Sequence, residues 1–133
     1  MATSEIEPQD QQTLKRILDI RSKKEDKLRR RISEVKKKLQ QLQNDKQQAL
    51  DDRNKVIEDI RQMAVPEESL DHSELSDFKT VLSQCYQQER GLAEKAISIE
   101  DEIQQTKLTI EQMDKEVFQL VKDQEKLQAV FDE

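Results

Sequence analysis

The chain has 133 residues, of which 33% are hydrophobic, 39% charged and 3% aromatic, with a formal net charge of −6 and a mean hydropathy of −1.00. One domain fits this length, but a compact globule would need more apolar surface to offset the entropy of ordering the chain. No stretch approaches the roughly 18 consecutive apolar residues of a membrane span, and the acidic opening MATSEIEPQD lacks the apolar segment of a secretory signal.

Residues 1–11, small and acidic with Pro8, carry no periodic pattern and are expected to form a frayed tail. A first helix is predicted over 12–64. Its inward positions read Leu14, Leu18, Arg21, Glu25, Leu28, Ile32, Val35, Leu39, Leu42, Lys46, Ala49, Arg53, Val56, Ile60 and Met63. Pro66 disfavours helical geometry at Val65 and donates no backbone hydrogen bond, so a break is predicted over 65–73. Asp71 with Glu74, or Ser73 alone, can cap the next start. A second helix is predicted over 74–130. Its stripe runs Leu75, Phe78, Leu82, Cys85, Glu89, Leu92, Ala96, Ile99, Ile103, Thr106, Ile110, Met113, Val117, Leu120, Gln124, Leu127 and Phe131.

The gaps in both stripes alternate three and four without a slip. A 3.5-residue period sustained this long specifies supercoiled helices, and a disordered tract has no reason to keep that phase. Helix breakers are nearly absent: one glycine, Gly91, and two prolines. The fold class is therefore all-α, with residues 12–133 forming an antiparallel coiled-coil hairpin of two helices, each roughly 80–90 Å long. Inner polar residues such as Arg21, Glu25, Lys46, Arg53, Glu89, Thr106 and Gln124 either set register or soften the seam.

Charge supports the hairpin. Residues 12–64 hold 16 basic and 9 acidic side chains, residues 65–133 hold 7 and 17, and the basic pole is 15–38 with 12 and 4. A parallel dimer would set that pole against its own copy, whereas folding back brings it to acidic residues. With residue i facing roughly residue 138−i, Lys36, Lys37 and Lys38 are expected near Glu100, Asp101 and Glu102, and Lys24 and Lys27 near Asp114 and Glu111. An antiparallel dimer of hairpins stays open as an alternative to a monomer.

This pattern leaves little room for chemistry. Cys85 is the only cysteine, sits on the apolar stripe and reads as a small buried hydrophobe in a reducing compartment, most simply a cytoplasm. His72 is the only histidine and reads as a solvated turn residue, so no metal site is expected. A single glycine makes no phosphate loop, and nothing desolvates a carboxylate pair for acid–base work. The protein is expected to be no enzyme and to need no cofactor. The basic stretch lacks aromatic stacking residues and has an acidic partner within the chain, so no nucleic-acid binding and no membrane insertion are expected.

Function is then expected on surfaces offered to partners. One lies at the terminal end of the hairpin. The other lies near the break, where Met63, Leu70, Phe78, Leu82 and Tyr86 place larger side chains. The stretch LKRILDIRSKKEDKLRRRISEVKKKLQ at 14–40, with Arg21, Lys24, Glu25, Leu28 and Ile32, resembles the opening helix of the type III secretion central-stalk family, flagellar members included. The closing VFQLVKDQEKLQAVF at 117–131 is similar to that family's C-terminal helix. The acidic tail with Pro8 departs from members that start directly on the helix.

The resemblance implies a cytoplasmic stalk that inserts its terminal helices into the pore of a hexameric secretion ATPase, promotes assembly and ATP hydrolysis, and links it to the export gate. Contacts to the ATPase would come from Arg16, Arg21, Lys24, Lys27, Arg30, Arg31, Gln124 and Leu127. The break-proximal residues would meet the export-gate protein or escort chaperones. A structural coiled-coil adaptor or tether is the competing reading; a prefoldin-like arm lacks its strand segments here.

Overall fold

The computed structural model describes residues 7–63 and 70–132, apart from the Phe131 side chain. Two helices account for almost all of this: α1, Pro8–Gln62, and α2, His72–Asp132. They pack against each other as an all-α helical hairpin. The expected kink at Val65 and Pro66 and most of the expected tail lie outside the described residues, as does Ala64, the expected end of the first helix.

Both helices begin earlier than the sequence suggests, for reasons the cap chemistry makes plain. Pro8 opens α1 instead of breaking it. The Glu7 carbonyl accepts the first helical bond, from the Gln11 N–H at 2.9 Å. Proline in the first helical position forfeits only an N–H that has no helical partner anyway, and its fixed φ suits the helix. The residues Pro8–Gln11, expected in the tail, are therefore helical. At α2, Asp71 is the cap: its Oδ1 accepts from the Glu74 N–H at 2.7 Å and its carbonyl from the Leu75 N–H at 3.0 Å.

The chain divides into two compact units, each holding a stretch of both helices. Unit 1 is Met1–Lys38 with Thr106–Glu133, and unit 2 is Leu39–Gln105. In unit 1 the most deeply covered residues are Ile32, Thr106 and Val117. In unit 2 they are Ala49, Val56, Ala96, Ile99 and Ile103. All eight belong to the two stripes. Every other described stripe position is half-buried except Leu75, which is 38% exposed.

With seam positions labelled a and d, Leu18, Glu25 and Ile32 are a in α1, and Glu89, Ala96 and Ile103 are a in α2. The outward faces are held by one-turn side-chain contacts. Gln41, Gln47 and Gln48 donate to Asp45, Asp51 and Asp52 at 2.8, 2.9 and 2.8 Å. Each such pair adds about 0.2–0.5 kcal/mol to a helix that has no apolar cover on that side.

The seam is not wholly apolar. In unit 2, Arg53 Nε donates to Glu89 Oε1 at 2.7 Å, and Lys46 Nζ to Glu100 Oε2 at 2.9 Å. In unit 1, Arg21 meets Asp123 at 3.0 Å. These partners correct the expected register. Simple fold-back puts Val117 opposite Arg21, Leu92 opposite Lys46 and Cys85 opposite Arg53; Glu100 instead meets Lys46. Lys36 instead shares a groove with Asp114, and Lys24 one with Glu116 and Asp123. Side chains on a helix lean toward its N-terminus, so in an antiparallel pair the residues that meet lie further along both chains than the backbone register implies.

The Arg53–Glu89 pair is part-covered, with side-chain exposures of 39% and 22%. Arg53→Ala strands Glu89 in the seam and is expected to cost about 1 kcal/mol, whereas replacing both residues by Leu raises the melting temperature. Thermal unfolding followed by circular dichroism checks both.

Candidate functional site

The heptad phase of α1 decides which basic side chains of unit 1 face outward. Arg16 and Arg30 occupy f, Lys27 occupies c, and Lys24 and Arg31 occupy g. All five are exposed. The g side chains border the seam, and Lys24 lies in the groove shared with Glu116, Leu120 and Asp123. Arg16, Lys27 and Arg30 sit further round, on the face turned away from α2.

The other residues expected with them point the opposite way. Arg21 is spent on Asp123, Gln124 Nε2 donates to Glu25 Oε1 at 3.1 Å, and Leu127 is half-buried in the seam. None of these three adds to an outward contact surface. Arg29 joins the same network from the flank, its Nε donating to Glu25 Oε2 at 2.6 Å. With two donors on one carboxylate, Glu25 is satisfied although its side chain is only 18% exposed. The Arg29 hydrogen bond does most to lower the Glu25 pKa from its ordinary 4.5, helped by Gln124 and by the Arg29 charge and opposed by burial.

Unit 2 divides the break-proximal set. Met63 and Leu70 are half-buried, and Phe78 and Leu82 are half-buried at seam positions. Tyr86 alone of the five is exposed, at 53%. Large apolar residues that the stripe does not contain are exposed as well: Val81 and Ile97 in unit 2, and Ile20, Leu108, Phe118 and Val130 in unit 1. Lys122 Nζ lies 4.8 Å above the Phe118 ring, a cation–π contact that partly covers it. The signal for these residues was present in the sequence, as apolar side chains out of phase with the 3–4 pattern.

Among the described residues no His, Cys, Asp or Glu cluster is arranged to hold a metal ion, and no helix is long and apolar enough to cross a membrane. Cys85 is half-buried on the seam, and His72 is the exposed first residue of α2. The depressions along each unit are open grooves between the two helices or along one of them, such as that formed by Leu18, Ser22, Gln124 and Gln128. What the geometry offers is surface: a basic outer face on unit 1 and exposed apolar residues on both units.

The Glu25 network carries a pH signature. A carboxyl with a lowered native pKa contributes stability that is complete above its unfolded value and is lost as pH falls through the native one. Stability is therefore expected to decline on acidification below about 4.5, and Glu25→Gln flattens that part of the curve. Urea unfolding at a series of pH values checks this.

Comparison with protein-family models, with curated proteins and with solved structures gives no match.

Proposed function

We propose that the protein works by presenting surfaces to other proteins, and specifically that it is the central stalk of a type III secretion ATPase. One observation carries the reading: the basic residues Arg16, Lys27 and Arg30 project from the outer face of α1 in the unit that contains both terminal helices. The stretch that supplies them, 14–40, is also the one that resembles the stalk family. On this reading unit 1 enters the pore of a homohexameric ATPase, and the basic side chains touch acidic pore loops. The export gate and escort chaperones are met by unit 2. The protein then resides in the bacterial cytoplasm at the base of the secretion apparatus.

The mechanism needs no chemistry from this chain. Two helices do not share the six-fold symmetry of a ring, so they touch its subunits unequally. Unequal contact shifts each subunit's conformational equilibrium by a different amount, which favours ordered firing over six independent events. Charge contributes mainly to steering and orientation, because exposed pairs are individually weak.

The test is hydrolysis by the cognate export ATPase with and without this protein. Stimulation is expected at a substoichiometric ratio to ATPase subunits. Arg16→Glu, Lys27→Glu and Arg30→Glu together bring it back to the basal rate while helicity is retained. These positions are chosen because Lys24 shares a groove with Glu116 and Asp123 and Arg31 also borders the seam at g, so reversing those two would also disturb the hairpin. Full stimulation by the triple variant removes the pore contact. Absence of both stimulation and co-sedimentation assigns the protein to the structural adaptor class instead.

A further inference from the structure

Unit 2 has two unlike sides. In antiparallel helices the e positions of one flank the e positions of the other, and g flanks g. The grooves of unit 1 display this, with Arg29 and Asp114 (both e) in one and Lys24, Glu116 and Asp123 (all g) in another. Helix phase carries the same assignment into unit 2. There the g side holds Asp45, Asp52 and Asp59 from α1 and Glu74, Val81, Gln88, Lys95 and Glu102 from α2.

The e side and its adjoining b positions are different. Leu50 and Ile57 of α1 and Ala93 of α2 are half-buried there, and Tyr86 and Ile97 stand 53% and 64% exposed. Along α2 they form a second 3–4 row, Tyr86, Arg90, Ala93 and Ile97, beside the seam but not in it. From Gln43 to Arg61 and from Ser76 to Ile97 the e and b positions contain no acidic residue; the next e position, Glu100, meets Lys46. Their charged members are all basic: Arg61, Lys79 and Arg90. Arg61 has Glu58 at 3.9 Å, a long contact between two exposed groups.

We infer that this face of unit 2 is a docking groove for an amphipathic helix whose apolar stripe is flanked by acidic side chains. Such a helix would lay its stripe over Leu50, Ile57, Tyr86 and Ala93, adding a third helix by the same seam packing that joins α1 to α2. Its acidic flanks would meet Arg61, Lys79 and Arg90. A second copy fits poorly. Face to face, two copies bring their own arginines and lysines together, and the acidic g side of a neighbour offers no apolar row. The inference rests on unit 2 alone and holds whether or not the protein is a secretion stalk.

The probe is a fluorescent peptide of four Glu-Ile-Ala-Ala-Leu-Glu-Lys repeats, tested by anisotropy with the full chain against its counterpart of four Lys-Ile-Ala-Ala-Leu-Lys-Glu repeats. The acidic peptide is expected to bind about tenfold or more tightly than the basic one, and to weaken with added salt. Tyr86→Glu and Ile97→Glu, both at exposed positions, abolish binding with the helical signal intact. Arg90→Glu narrows or inverts the preference between the peptides, which a merely structural role would not do. Equal binding of both peptides, binding of neither, or binding indifferent to Tyr86→Glu overturns the proposal. So does a concentration-dependent dimer in sedimentation that Tyr86→Glu dissolves, which gives the face to a second copy. Recruitment to phosphatidylserine vesicles that Tyr86→Glu abolishes also overturns it, and gives the face to a lipid surface.

Discussion

The seam between α1 and α2 is where this chain removes most of its buried carbon from water. With only 33% hydrophobic residues, it cannot build both a seam and a second core. Burial of apolar area is the dominant favourable term in folding, so residues at a and d are drawn inward and nearly everything else is left outside. The outer faces then have to support themselves, which they do with one-turn glutamine–aspartate contacts and a dense coat of charge. The depressions described along the two units are open grooves. What the protein has is a long perimeter whose residues are free to differ from side to side.

That freedom is used unevenly. In unit 1 the perimeter is largely charged: Arg21 is answered across the seam by Asp123, whereas Arg16, Lys27 and Arg30 face outward. In unit 2 the perimeter splits into an acidic side and an apolar, basic side. The polar residues admitted into the seam are each answered as well: Glu25 by Arg29 and Gln124, Arg53 by Glu89, Lys46 by Glu100. An unanswered charge at half-buried depth opposes the helix pairing, so each partner offsets part of the cost of admitting a charge into the seam.

The periodic part of the structure was legible in the sequence because burial follows helix phase so directly. From Leu14 to Met63 and from Phe78 to Leu127 every stripe position is at least half covered. Four things were misread or missed. Pro8 read as a breaker because the pattern around it is silent, and only the Glu7 carbonyl bond reveals it as a helix opener. Register was misjudged because counting back from a turn ignores the lean of side chains along their helices. Arg21, Gln124 and Leu127 were grouped with the contact surface by charge or by proximity to the chain ends, although their own a and d phase already placed them inside. The e-side row around Tyr86 was missed because each residue, taken singly, is unremarkable; its meaning lies in the acids that are missing from around it.

The Arg53–Glu89 bridge has a consequence for which arrangements the chain can visit. A heptad repeat is nearly self-similar, so sliding one helix along the other by seven residues restores most apolar contacts and makes slipped pairings natural competitors. In unit 2 a slide of one repeat in either direction sets Arg53 beside Ala96 or Leu82 in place of Glu89. Either neighbour leaves a guanidinium facing carbon. The bridge therefore acts less as glue than as a notch that marks one sliding position among several of similar apolar content, and its removal would show as heterogeneity of alignment before it showed as loss of helix.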